Sequence, residues 1–133
     1  MIYALDTNII SYILNGDNEL AIKLNSVAQK YTVVIPMMVY YEIRRGLISN
    51  KAENKLKAFD KLCKKQNVID ITTTDLDKAA FIYAKRKSDG KMIDDADLLI
   101  AAQCVTNGYK LITNNVKHFD EIDGLLYENW VTR

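Results

Sequence analysis

The densest candidate chemistry in the chain lies in IDDADLLIAA, Ile93 to Ala102, where Asp94, Asp95 and Asp97 precede an unbroken run of apolar residues. On a helix Asp94 and Asp97 share a face, and Asp95 is rotated away by about 100°. Carboxylates so placed repel and raise one another's pKa unless a positive charge offsets them. Two further acids stand out: Asp6 closes the apolar run MIYAL, and Glu42 sits in VYYEI among neighbours that read as buried. Each has an ordinary explanation. Asp94 and Asp6 can cap helices, acids in a first helical turn are favoured by the helix dipole, and Glu is common on exposed helix faces. Gathered at one place, however, they have a chemical use. Oxygen-rich sites without histidine or cysteine select Mg²⁺ or Mn²⁺. One or two such ions can activate water, orient a phosphodiester and stabilise the departing oxygen of an in-line displacement.

Other chemistries find few residues to run on. His118 is the only histidine, and Cys63 and Cys104 lie far apart without metal-type spacing. Zinc, thiol and serine mechanisms need more imidazole and thiolate than this. Any catalysis therefore has to use carboxylates.

The elements that must position them follow from the hydrophobic pattern. MIYAL reads as a buried strand, and TNIISYIL as a helix closed by Asn15-Gly16. A second helix is expected over residues 19–29, and TVVI as an interior strand. Pro36 suits the first turn of the helix that carries MMVYYEIRRGLIS. An amphipathic helix over 51–66 leads to a strand at 68–71. Thr74 is then expected to cap a helix ended by Gly90. The acidic segment opens the next helix, which stops at Asn107-Gly108. The strand YKLI follows it, then the polar turn TNNVKHFDEIDG, and a final strand is expected within 125–130.

Alternating short strands and helices indicate an α/β domain with a mostly parallel sheet of four to five strands, whose ligand crevice lies beyond the strands' carboxyl ends. Asp6, the start of the Pro36 helix, the start of the Asp94 helix, Thr113 and Asn115 all fall at that edge. Glu42 lies roughly 9 Å down its helix. One domain over residues 1–133 is expected, in a cytosolic chain with no membrane-length apolar run.

The formal charge is only +1, but Arg44 and Arg45 are adjacent, and lysines crowd 51–65 and 85–91. These groups are either solvated helix faces or local attractors for a phosphate backbone.

LDTNI, YYEIRRG, DLLIAA, LITNN, HF and GLLYENW occur in that order across nearly the whole chain. Together they resemble the PIN-domain ribonucleases, and more narrowly the VapC-type toxins of bacterial toxin–antitoxin pairs. The resemblance implies a three-layer α/β/α domain and a metal-dependent endoribonuclease with Mg²⁺ or Mn²⁺ held by Asp6, Glu42 and Asp97. Asp94 is an additional acid whose role stays open between metal support, water orientation and capping. At the family's fourth acidic position stands Asn115, uncharged, which puts a fully formed second metal site in doubt. The resemblance further implies that Asn8 orients Asp6 and that Thr113 bonds an acid or a metal-bound water. It makes Arg44 and Arg45 candidates for RNA backbone contact or for pairing with local acids or a partner. It implies an RNA substrate, transfer RNA being the family expectation, a cognate VapB-type antitoxin, and a homodimer. Tyr12, Tyr40 and Tyr41 are open between interface and core.

Three readings compete. A non-catalytic PIN-like module that binds RNA or a partner takes its support from Asn115. A signalling receiver domain needs a phosphoacceptor Asp on a middle strand, whereas the second strand here ends in Ile35-Pro36. A purely structural interaction module would leave the meeting of the acids accidental.

Overall fold

The computed structural model describes residues 1–132; Arg133, part of the domain expected over 1–133, lies outside the described residues. Five strands form one sheet: β1 (Ile2–Leu5), β2 (Thr32–Pro36), β3 (Asn67–Ile69), β4 (Lys110–Ile112) and β5 (Leu126–Glu128). Their order is β3-β2-β1-β4-β5, and every pairing is parallel. Seven helices connect and cover them: α1 (Thr7–Leu14), α2 (Asn18–Lys30), α3 (Met37–Ser49), α4 (Glu53–Lys65), α5 (Thr73–Ser88), α6 (Asp95–Asn107) and α7 (Val116–Phe119). This is the three-layer α/β/α arrangement, and the mostly parallel sheet expected from sequence is parallel throughout.

The sheet is interior, so its strands read as continuous apolar runs. Ala4, Leu5, Val33, Val34, Ile35, Leu111 and Ile112 are buried in one core with Ile9, Ile10, Phe59, Ile100 and Phe119. β1 is central: the chain goes from it to β2 on one side and reaches β4 on the other. That reversal is the kind of switch point beyond whose strand ends ligands of such a sheet usually bind. The Asp6 N–H carries the β1–β4 ladder onward by donating to the Ile112 carbonyl at 2.9 Å, and the Thr113 N–H does the same toward Glu128 at 3.1 Å.

Several boundaries differ from the sequence expectation. Pro36 closes β2 and precedes α3 as its N-cap, with φ −58° and ψ 144°, rather than lying in the first helical turn. Thr72, not Thr74, caps α5. Its hydroxyl accepts from the Asp75 N–H while the Asp75 carboxylate accepts from the Thr72 N–H, a reciprocal capping box. The turn after β4 contains the short helix α7.

α6 matters most for the site. It is buried along Leu98, Ile100, Ala101, Ala102, Gln103 and Cys104, and it ends on Gly108 in the left-handed conformation, φ 68°. Its far end is tied down: Gln103 donates to the Ile69 and Asp70 carbonyls, and Thr106 and Asn107 donate to the buried Asp75 carboxylate. A helix so anchored holds its acidic N-terminus in a fixed place at the sheet edge.

Candidate active site

Asp6 is the first residue past β1 and only 3% exposed. Extended at φ −77° and ψ 162°, it caps α1, and its Oδ1 accepts from the Thr7 N–H at 2.8 Å. Its Oδ2 accepts from Asn8 Nδ2 at 3.1 Å and from the Thr113 hydroxyl at 2.7 Å. Asn8 is fixed in turn, because its Oδ1 accepts from the Asn114 N–H at 2.9 Å. Thr113 Oγ1 also accepts from the Asn115 N–H. The ends of β1 and β4 are thereby stitched together around one carboxylate. Burial still pushes the Asp6 carboxyl above its ordinary range, against the opposing effect of Thr113, Thr7, Asn8 and the more distant His118.

Asp97, in the first turn of α6, feels the same strain from another side. Burial raises its pKa first, and the charges of Asp6 and Asp94 raise it further. His118, at 3.0 Å from Asp97 Oδ2 through Nδ1, pulls in the opposite direction. Asp94 is exposed and is the N-cap of α6, accepting from the Ala96 N–H at 3.4 Å. Capping therefore accounts for its hydrogen bond, while its charge still reaches Asp97.

Glu42 arrives from α3. Its Oε1 accepts from the Thr7 hydroxyl at 2.8 Å, and its Oε2 lies 4.0 Å from the Arg45 guanidinium. Since Thr7 follows Asp6, this bond sets Glu42 beside the capped end of α1. Two clefts open along this edge. One, of about 250 Å³, includes Thr7, Glu42, Asn50 and Lys55 in its wall; the other, of about 320 Å³, is bounded by Arg86, Ile93, Asp94, Asp97, Lys117 and His118.

The structure thus brings Asp6, Asp97 and Glu42 to one edge, with Asn8 and Thr113 on Asp6. Asn115 is exposed, and only its backbone joins the network, through Thr113. Arg44 is turned away: it pairs with Asp60 and lies 5.1 Å over the Tyr40 ring. Arg45, 59% exposed, lies over Tyr41 beside Glu42. Three further residues join the site. One imidazole cannot build a zinc or serine site, yet His118, in the turn after β4, reaches Asp97. Thr7 and Asn114 stand between more conspicuous neighbours, and only the fold reveals their partners.

A divalent ion suits the donors present. Asp6 is a buried carboxylate with no cation in ion-pair range among the described residues, and the basic groups beside the other two acids are His118 and Arg45. The ligating atoms are hard oxygens, which match Mg²⁺ or Mn²⁺. No three His, Cys, Asp or Glu side chains among the described residues are already closed around a common point. Thr7 and His118 hold Glu42 and Asp97 in place by hydrogen bonds.

Comparison with known proteins agrees with this architecture. Residues 3–125 match the family model described as PIN domain. The chain is 32% identical to Ribonuclease VapC2 of Rickettsia felis, over 98% of both chains. It is 30% identical to Ribonuclease VapC1 of Haemophilus influenzae, again over 98% of both. Among solved structures, one chain of the Rickettsia felis VapBC2 complex bound to a promoter DNA fragment superposes with a TM-score of 0.92 at 29% identity, covering 98% of this chain and all of that one. VapBC-1 from nontypeable Haemophilus influenzae gives a TM-score of 0.86 at 28% identity, over 98% of both chains.

Proposed function

The chain belongs to the PIN-domain family, and on that premise we propose that it is a Mg²⁺- or Mn²⁺-dependent endoribonuclease acting as the toxin of a toxin–antitoxin pair. Its substrate is transfer RNA or another structured RNA, whose cleavage inhibits translation. A cognate VapB-type antitoxin neutralises it, as the names of the related VapBC complexes suggest. It works in the cytoplasm as a homodimer; among the described residues no helix is long and apolar enough to cross a membrane.

One observation carries the reading. Asp6 is a buried carboxylate held between the ends of β1 and β4, its charge raises the cost of ionising the nearby Asp97, and among the described residues no cation lies in ion-pair range of Asp6 while Asp97 has only His118 beside it. A chain keeps such an arrangement where the offset comes from outside.

Asp6, Glu42 and Asp97 are the residues that would hold the ion, with Asp94 adding negative charge at the mouth. The ion, when bound, supplies Lewis acidity and a lowered pKa for water. The protein supplies orientation. Thr113 and Asn8 fix the rotation of the Asp6 carboxylate and favour its charged form against burial, Thr7 sets Glu42, and His118 sets Asp97. Outer groups of this kind govern how well ligands meet an ion. Arg45, exposed beside Glu42, is placed to neutralise an arriving phosphate, whereas Arg44 is already engaged by Asp60. Asn115 supplies no charge for a second ion, so one ion held by protein carboxylates is the arrangement these residues favour.

Incubating purified, partner-free protein with tRNA in Mg²⁺ or Mn²⁺ tests this. Cleavage should appear, disappear in EDTA, and be lost in Asp97→Asn. Cleavage undiminished by that substitution would mean the reaction occurs elsewhere. The absence of a closed cage and the neutral Asn115 favour a second reading, a non-catalytic RNA- or partner-binding module. RNA bound but left intact in both metals would select it.

A further inference from the structure

Arg86 has an unusual place on α5. That helix turns Asp75, Ala79 and Ile82 into the protein, and Arg86 falls at the next step of the same spacing, on the inward stripe. Inward positions normally carry apolar side chains or paired polar ones. Arg86 is half-buried, its Nε is buried without a hydrogen-bond partner, and it makes no ion pair among the described residues. Its place does not lack acids. Asp94 and Asp97 border one cleft with it, and Asp89, Glu121 and Asp123 border a second, of about 210 Å³. Lys91 pairs with Glu121, which feels Arg86 only as a weaker and more distant charge.

Arg86 is the one residue among those described that lines both clefts. On the carboxylate side Lys117 lines the same cleft. On the other side stand Lys78, Lys85 and Phe81, a residue 66% exposed with the Lys78 ammonium 5.2 Å from its ring centre. Cations in both clefts and an exposed aromatic side chain in the second, with Asp89, Glu121 and Asp123 also on its wall, form a combination that can receive a single strand of nucleic acid: cations for the backbone, a ring for an unstacked base. A duplex keeps its bases stacked and cannot use the ring.

Resting on the ribonuclease reading, we propose that Arg86 and Lys117 bind an RNA backbone phosphate next to the one at the carboxylates, and that the strand continues over Arg86 to stack a base on Phe81. Arg86 contacts the substrate's backbone and takes no part in holding the metal.

The test is fluorescence anisotropy of a short labelled single-stranded RNA, and of the same sequence as a duplex, over a salt series in EDTA. The proteins are wild type, Arg86→Gln, Arg86→Lys, Phe81→Ala and, as a control on α4 away from both clefts, Lys64→Gln. Arg86→Gln should weaken single-strand binding and reduce the slope of log affinity against log salt by about 0.7, the loss of one phosphate contact. Arg86→Lys should recover most of that slope. Phe81→Ala should weaken single-strand binding at every salt concentration without altering the slope, and leave duplex binding unchanged. Lys64→Gln should match wild type. Calorimetric Mn²⁺ affinity and the thermal midpoint report whether Arg86→Gln retains the fold and the metal site; both should stay at wild-type values. Wild-type affinity and slope in Arg86→Gln and Phe81→Ala would overturn the strand path while leaving RNA cleavage by wild type, and hence the ribonuclease reading, intact. Loss of antitoxin binding alone in Arg86→Gln would overturn it in favour of a protein ligand. Wild type that neither binds nor cleaves RNA would overturn both.

Discussion

Thr113 and Asp6 stand 107 positions apart in the chain, yet the buried Thr113 hydroxyl donates to Asp6 Oδ2 at 2.7 Å. This bond joins the ends of the two strands at which the sheet reverses direction, and it favours the charged form of a carboxylate that burial disfavours. Thr113→Val keeps the shape and removes the donor. It also takes away the acceptor of the Asn115 N–H. A hydrogen bond to a charged group contributes roughly 1.5–3 kcal/mol, so urea unfolding at neutral pH should show a loss of about that size. Mn²⁺ affinity should fall with it, measured by calorimetry.

Thr7 tests the support of the second acid. Its hydroxyl is the only hydrogen-bond donor to Glu42 among the described residues, and Thr7→Val leaves that carboxylate free to swing toward Arg45. Removing an outer-shell partner of a metal ligand typically costs about 10–100-fold in metal affinity or activity. RNA cleavage by Thr7→Val at subsaturating Mn²⁺ should fall within that range and recover in part as Mn²⁺ is raised. Unchanged cleavage would detach Glu42 from the site.

The acids also predict how stability varies with pH. The carboxyls of Asp6 and Asp97 titrate above 3.8 in the folded chain, chiefly through burial. A folded-state pKa above the unfolded one contributes stability that is complete below the unfolded pKa and lost as pH rises through the folded one. Metal-free protein should therefore lose this contribution on going from about pH 4 toward neutrality. Asp97→Asn removes one of the two penalties. Its thermal midpoint should exceed that of metal-free wild type near pH 7, and the difference should shrink toward pH 4. Saturating Mn²⁺ should raise the midpoint of wild type but not of the variant. A difference that grows on acidification would contradict the burial argument.

Much of this arrangement was legible because parallel sheets place strand ends at a common edge. Asp6 after MIYAL, Thr113 after YKLI and the start of the Asp94 helix needed only strand identity and direction to be placed together. Helix bounds that rest on local signals are also readable: Thr7–Leu14 follows from its apolar spacing and the Asn15-Gly16 that closes it. The α5 cap was misplaced among three successive threonines, although Asp75, three residues after Thr72, is the partner a capping box requires. Pro36 was placed one step too far along because its missing N–H suits both the end of a strand and the start of a helix. The partners of His118, Thr7 and Arg44 are set by tertiary approach over 16 to 35 positions. No local pattern encodes such distances, so whether an arginine faces a substrate or an aspartate was beyond reach of spacing alone.

The central claim is that Asp6, Glu42 and Asp97 jointly hold one divalent ion. Anomalous diffraction from a crystal soaked in Mn²⁺ measures this directly. The account predicts a single strong peak bonded to oxygens of Asp6 and Asp97 at about 2.0–2.2 Å, with Glu42 joined to it directly or through one water. A peak at Asp94 and Asp95 that leaves Asp6 untouched, or no peak at this edge of the sheet, would contradict it.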